Sequence, residues 1–71
     1  PYDIRSAAFY PRREAIFVAL SNTVMVVELD GRGGRNITPL YKGKEPSFAV
    51  DPSQRVIYIL DDGTLIRIPL Q

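Results

Sequence analysis

Two carboxylates followed by glycine, in Asp61-Asp62-Gly63, come closest in residue type to a metal or acid–base site. Hard cations prefer carboxylate oxygens in flexible turns, but the alternating Asp-x-Asp-x-Asp-Gly of a calcium loop is missing. Acid–base catalysis would need one carboxyl group with a raised pKa, and no apolar residue directly flanks Asp62 to raise it. Because Asp-Gly is also typical of tight hairpins, we predict a turn here.

A basic, glycine-rich segment, Gly31-Arg32-Gly33-Gly34-Arg35, has the composition of a phosphate-binding loop. A P-loop needs Gly-Lys-Ser/Thr leading into a helix, and this segment has neither feature. We therefore predict a hairpin loop whose glycines supply positive φ angles.

The chain contains no cysteine and no histidine. Thiolate nucleophiles, a Ser-His-Asp triad, the usual zinc sites and a CxxC redox motif are therefore excluded within this sequence. We predict no catalytic, cofactor-binding or metal-binding residue, and no enzymatic activity.

The charge of the 71 residues is nearly balanced, with nine Lys and Arg against eight Asp and Glu, a net charge of +1. So small a charge does not argue for binding to nucleic acid. The longest apolar run, from Ala15 to Leu20, is far too short to cross a bilayer, so we expect no direct membrane insertion. With neither an initiator Met nor a signal peptide at Pro1, the chain is expected to be a fragment or a processed piece.

An internal repeat organises the chain. Aligning residues 6–30 with residues 47–71, at an offset of 41, leaves no gap, and the turn residues and apolar positions agree along the whole alignment. The identical pairs are Ser6/Ser47, Ala8/Ala49, Pro11/Pro52, Ile16/Ile57, Thr23/Thr64 and Leu29/Leu70.

Both repeats consist of short β-branched and aromatic runs separated by turn residues, and no window has helical periodicity. We predict an all-β chain with four antiparallel strands in the first repeat (residues 1–45) and three in the second (residues 46–71). The predicted strands are Ile4 to Phe9, Ala15 to Leu20, Thr23 to Leu29, Arg35 to Leu40, Ser47 to Val50, Val56 to Leu60 and Thr64 to Leu70. Pro39 fits an outer edge strand, which tolerates a missing donor.

Four strands in about 40 residues are typical of one blade of a β-propeller. A propeller closes with at least four blades, so one blade and three strands of a second are expected to be part of a larger ring. The remaining blades of the same parent protein would then be the nearest partners.

The residues of both repeats resemble the YWTD, or LDL-receptor class B, propeller family over almost the whole chain. Pro46 to Pro52 is similar to the family's first-strand pattern, Ile57-Tyr58-Ile59-Leu60-Asp61 stands where the family has Leu-Tyr-Trp-Thr-Asp, and Val27 to Gly31 stands where it has a Leu-Asp-Gly turn. Neither repeat has the Trp-Thr pair, and the second ends Pro69-Leu70-Gln71, so both copies are degenerate and another six-bladed group, such as NHL-type repeats, stays open.

The resemblance implies a six-bladed propeller on the extracellular side of a cell-surface receptor, or in a matrix protein, that binds a protein ligand without cofactors. LDL-receptor relatives and Ros/Sevenless-type receptors have such ectodomains. Two alternatives stay open: part of a six-bladed propeller enzyme of the strictosidine-synthase or lactonase type, and a short chain that oligomerises into a ring.

The candidate binding residues follow from the order of the strands, because successive connections in a blade alternate between two rims. The segment from Tyr41 to Glu45 should share a rim with Ser21-Asn22 and Asp61-Asp62-Gly63, which makes Tyr41, Lys42 and Lys44 candidate partner contacts. Arg12 and Arg13 are candidates on the opposite rim.

Two further predictions concern a modification and the core. Asn36-Ile37-Thr38 is an N-glycosylation sequon, and Asn36 is the candidate acceptor. The aromatic residues Phe9, Phe17, Phe48 and Tyr58 are expected to form the core between blades.

Overall fold

The computed structural model describes residues 3–29 and 35–70, which form seven β-strands and one short 3-10 turn, Pro11–Arg13. The strands are β1 Ser6–Tyr10, β2 Ala15–Ala19, β3 Thr23–Leu29, β4 Arg35–Lys42, β5 Ser47–Asp51, β6 Val56–Asp61 and β7 Thr64–Pro69. The all-β prediction is confirmed for these residues, and the predicted strand ends differ from the observed ones by at most two residues. None of the described residues belongs to a helix that is long and apolar enough to cross a membrane. The loop predicted at Gly31-Arg32-Gly33-Gly34 lies outside the described residues.

The strands form two antiparallel sheets in simple up-and-down order. The first sheet has the order β1-β2-β3-β4 and the second the order β5-β6-β7. Short connections between neighbouring strands produce this order, because antiparallel pairs need only a hairpin turn.

The second sheet repeats the strand register of the first at the offset of 41. Ser6 faces Ala19 across β1 and β2, and Ser47 faces Leu60 across β5 and β6. In the same way Phe17 faces Val26 in the first sheet, whereas Tyr58 faces Arg67 in the second. The sequence repeat is therefore also a repeat of structure.

The turn between the first two strands of each sheet repeats as well. Glu14 and Arg55 occupy equivalent positions, and both have a positive φ, 48° and 58°. The Glu14 carbonyl accepts a hydrogen bond from Leu29 N at 2.9 Å, and the Arg55 carbonyl accepts one from Leu70 N at 2.6 Å. Non-glycine residues rarely adopt this backbone conformation, so its recurrence shows that the two turns are built alike.

The core lies between the two sheets, which pack face to face. Phe17 of β2 is 3% exposed, and its ring lies 5.8 Å from that of Tyr10 and 6.3 Å from that of Phe48 in the second sheet. Ile57 and Ile59 of the second sheet are fully buried in the same cluster. Phe17 is therefore a central contact between the sheets.

Two aromatic residues expected in the core lie on faces that the other sheet does not cover. Phe9 pairs with Ile16, on the opposite side of the first sheet from Phe17, and is 58% exposed, so its predicted burial is wrong in this structure. Tyr58 is half-buried on the outer face of the second sheet. Alternation of side chains along a strand separates these positions from their buried neighbours.

Replacement of Phe17 by Ala should lower the free energy of unfolding by about 3–5 kcal/mol, because a large buried ring leaves a cavity between the sheets. Phe9→Ala is the matched control: its ring is already exposed, so about 1 kcal/mol or less is expected. Urea unfolding followed by far-UV circular dichroism measures both values. Equal losses for the two variants would contradict the assignment of faces.

Candidate functional site

The rim predicted to gather three connections is formed by the β2–β3 turn, the segment between β4 and β5, and the β6–β7 turn. Asp61 is the last residue of β6, and Asp62 and Gly63 form a two-residue turn with φ angles of 51° and 81°. Positive φ at both turn residues is the type I′ geometry that Asp-Gly favours. The hairpin predicted at these residues is confirmed.

The Asp61 carboxylate lies at the centre of this rim, and the side chain is almost fully buried, with the residue 7% exposed. Tyr41 donates its hydroxyl to Asp61 Oδ2 at 2.8 Å. The backbone N–H groups of Lys44 and Glu45 donate to the same carboxylate at 3.2 and 3.1 Å. Because Tyr41 belongs to the first sheet and Asp61 to the second, these hydrogen bonds join the two sheets.

Gly43 allows the linker between β4 and β5, residues 43–46, to approach Asp61 this closely. A Cβ atom at this position would collide with Asp61 Oδ2 and would lie 2.6 Å from Tyr41 Cε2. Gly43 N also donates to the carbonyl of Asn22 at 2.9 Å, which ties the linker to the β2–β3 turn. The close approach therefore requires glycine at position 43.

A β-bulge in the edge strand β4 lies next to Tyr41. Val24 pairs with Tyr41 and Met25 pairs with Pro39, so Leu40 is an extra residue in β4. A bulge re-aims the side chains beside it, and an edge strand tolerates proline. The predicted edge position of Pro39 is confirmed, and the bulge precedes the tyrosine that reaches Asp61.

Hydrogen bonding changes the pKa of both side chains in this pair. The Tyr41 hydroxyl, then the backbone N–H groups of Glu45 and Lys44, hold the pKa of Asp61 below its usual range, although burial partly opposes them. The same hydrogen bond to Asp61 raises the pKa of Tyr41, with burial and the Asp61 and Asp62 charges adding to the effect. The pair is therefore a neutral phenol bound to an ionised carboxylate.

A second link between the sheets comes from Arg5, just before β1. Its guanidinium Nη1 donates to the Pro46 carbonyl at 2.6 Å and to the Leu20 carbonyl at 3.2 Å. Pro46 is fully buried. Sequence reasoning missed Arg5, which belongs to no motif, and it interpreted Asp61 as part of a turn without its pairing to Tyr41. Both contacts depend on where the next repeat packs.

The structure places the three candidates on this rim differently. Tyr41 is half-buried with its hydroxyl committed to Asp61, so a structural contact accounts for its position. Lys42 and Lys44 are exposed, and Lys44 Nζ lies 3.5 Å from Asp62 Oδ2 in a pair that is largely open to solvent. Such a pair contributes little energy, which leaves both ammonium groups accessible.

The opposite rim holds Arg13, whose guanidinium pairs with Glu28 at 2.7 Å. The side chain of Arg12 lies outside the described part of the structure. A hollow of about 270 Å³ beside the Arg13–Glu28 pair is lined by Phe17, Ile68 and neighbouring residues. This volume lies below the range of about 300–1,000 Å³ in which small-molecule sites usually fall.

The remaining candidate, Asn36, is exposed on the edge strand β4, as are Ile37 and Thr38 of its sequon.

Within residues 3–29 and 35–70, no three Asp or Glu side chains come together as a group that could hold a metal ion.

Acidification should weaken the link through Asp61. The pKa of Asp61 is lower in the folded chain than its unfolded value of about 3.9. The contribution of Asp61 to stability is therefore present above the unfolded pKa and is lost as the pH falls through the folded-state pKa. Asp61→Asn should remove the contribution at neutral pH and flatten the loss of stability below about pH 4. Urea midpoints at pH 7 and pH 3 measure this, with the exposed Asp62→Asn as control. An equal acid response in Asp61→Asn and the unmodified chain would contradict this role.

Substitution of Gly43 by Ala should cost about 1–3 kcal/mol of unfolding free energy, the usual cost of overpacking. The closest collision is with the Asp61 side chain, so the same substitution in an Asp61→Ala background should cost less, with the approach to the Tyr41 ring accounting for what remains. Chemical denaturation of the two single variants and the double variant measures the coupling. Additive losses would show that Gly43 does not contact Asp61 as described.

Comparisons of the chain with known proteins found no match. No protein-family model, no curated protein and no solved structure matches the chain. The resemblance to YWTD repeats therefore depends on the residues of the chain alone.

Proposed function

We propose that the chain forms two consecutive blades of a YWTD-like, six-bladed β-propeller. Such a propeller would serve as a non-catalytic, protein-binding scaffold on the extracellular side of a cell-surface receptor or in a matrix protein. One observation supports this most. The second sheet has the same strand register as the first at an offset of 41 residues, and the two sheets pack face to face. Stacked copies of one antiparallel meander are the architecture of a propeller.

The rim around Asp61 is the proposed partner-binding surface. Loops that present contacts to a partner work best on a rigid support, and here Asp61 fixes the linker through the backbone N–H groups of Lys44 and Glu45. Lys42 and Lys44 lie exposed on either side of Gly43. Their two ammonium groups suit a protein ligand with an acidic surface, and Tyr41 holds the linker in place beneath them.

The opposite rim, with Arg12 and Arg13, is a secondary candidate surface. The pairing of Arg13 with Glu28 neutralises part of its charge, so we rank this rim below the one that carries Lys42 and Lys44.

The proposed extracellular location is supported by the accessibility of the sequon. Asn36 is exposed on β4, whose outer side is a free edge of the first sheet. Asn36 lies on the same side of the first sheet as Phe17, but because it is exposed a glycan attached there would not displace the core between the sheets. We propose Asn36 as a glycosylation site of the secreted protein.

Binding can be tested with an array of purified extracellular domains probed with the labelled chain. The double variant Lys42→Glu/Lys44→Glu should lose at least one interaction of the unmodified chain by tenfold or more, because two attractive charges become repulsive. Arg55→Glu, an exposed arginine in the β5–β6 connection, is the matched control and should change the same interaction less than twofold.

Two results would contradict the proposal. If no domain binds the unmodified chain, a protein-binding role has no support. If Lys42→Glu/Lys44→Glu and Arg55→Glu weaken binding equally, the contact surface is not the rim around Asp61.

A further inference from the structure

The exposed apolar side chains of the described residues are concentrated on the two outer faces of the stacked sheets. Phe9 and Ile37 on the first sheet are 58% and 59% exposed, and Leu60 and Leu65 on the second are 49% and 66% exposed. Contiguous exposed apolar surface on a soluble protein usually marks a site of association. Both faces are therefore expected to be covered by a partner.

The repeat shows what fits each face. Phe9, Ile16, Val27 and Ile37 lie in register across the four strands, on one side of the first sheet. We call this side the leading face. At the offset of 41, Ile16 and Val27 correspond to Ile57 and Ile68 of the second sheet. Those two residues pack against the first sheet inside the molecule. The open leading face is thus equivalent to a face that is already buried in this structure.

The opposite side of each sheet is its trailing face. In the first sheet it carries Phe17, Ala19 and Val24, which are buried against the second sheet. The equivalent residues of the second sheet are Tyr58, Leu60 and Leu65, and they form its open outer face. The open trailing face is thus also equivalent to a buried one.

We propose that, in the isolated chain, a second copy takes the place of a neighbouring blade and docks head to tail, with the leading face of its first sheet on the trailing face of the second sheet. The internal contact between the sheets is the template: a trailing face already packs on a leading face there, in this order along the chain. The proposal rests on the stacking in the proposed function and extends it to association between chains.

The junction between copies differs from the internal one at the rim. Leu20 occupies the position equivalent to Asp61, so the hydrogen bonds that the Asp61 carboxylate accepts inside the molecule have no counterpart at this junction. Contact between copies therefore depends on apolar burial. Arg67 lies on the trailing face in β7, at the edge of the second sheet, where a long side chain can extend its charge into solvent while its methylene groups cover apolar surface.

The two faces differ, so the contact is heterologous. A heterologous contact leaves one leading and one trailing face free after each addition, and it gives closed rings or open filaments. An isologous dimer would instead use the same face twice and stop at two copies. This difference makes the proposal testable with one variant on each face.

The test uses Phe9→Glu, which places a charge on the leading face at the position equivalent to the packed Val50, and Leu65→Glu, which places one on the trailing face. Both positions are exposed, so the sheets should still form, and far-UV circular dichroism verifies this. Each variant alone should be monomeric at 8.0 kDa. An equimolar mixture should give a dimer of about twice 8.0 kDa that does not grow further, because only one compatible pair of faces remains.

The unmodified chain and Thr38→Glu are the controls, since Thr38 is exposed on the first sheet but lies on the opposite side from Phe9. Both should form species larger than the mixed dimer. Light scattering coupled to size-exclusion chromatography measures all masses. A monomeric unmodified chain, a monomeric mixture, or dimers of either single variant would overturn the proposal.

A measurement on the unmodified chain is independent of how the variants fold. Amide chemical shifts are recorded as the unmodified chain is diluted. The signals of β1 and β4 around Phe9 and Ile37 should shift together with those of β6 and β7 around Leu60 and Leu65. Shifts confined to one face would overturn the head-to-tail contact. Since these faces are separate from the rim lysines, failure here leaves the binding result of Lys42→Glu/Lys44→Glu unaffected.

Discussion

Apolar residues on both faces of each small antiparallel sheet are the constraint on which the rest of this structure depends. A sheet of three or four strands is stable only when its apolar face is covered. In the first sheet Phe17 points to one side, and Ile16 and Val27 lie on the other. The second sheet covers one of these faces. Stacking is therefore a requirement of the sequence pattern, and each further sheet in a stack would present the same requirement to the next.

The rim contacts add direction to a packing that apolar burial alone would leave loosely defined. Asp61 receives hydrogen bonds from the Tyr41 hydroxyl and from two backbone N–H groups of the linker, and Arg5 reaches the Pro46 carbonyl nearby. A buried carboxylate without partners is costly. The fold is therefore most stable in the arrangement in which Asp61 receives all of these hydrogen bonds. They fix the end of the second sheet against the first, and the linker that they fix carries Lys44 and directly follows Lys42, the last residue of β4.

Local sequence was sufficient to predict the strands, the Asp62-Gly63 turn and the edge position of Pro39, because these depend on β propensity, turn conformation and the missing proline donor. Contacts across the sheets were less predictable. Tyr41 was proposed as a partner contact, but its hydroxyl binds Asp61, since the bulge at Leu40 and the small Gly43 bring the strand and linker together. Phe9 was predicted in the core, yet its face is open because burial depends on which side the neighbouring sheet covers.

The central claim is that the sheets stack with the Phe17 face of the first against the Ile57 face of the second. Nuclear Overhauser effects from the Phe17 ring test it most directly, because the Phe48 ring lies 6.3 Å away between centroids. In the monomeric variant Leu65→Glu, the account predicts cross-peaks from Phe17 to Phe48 and none between Ile16 and Tyr58. Cross-peaks between Ile16 and Tyr58, without contacts from Phe17 to Phe48, would contradict it.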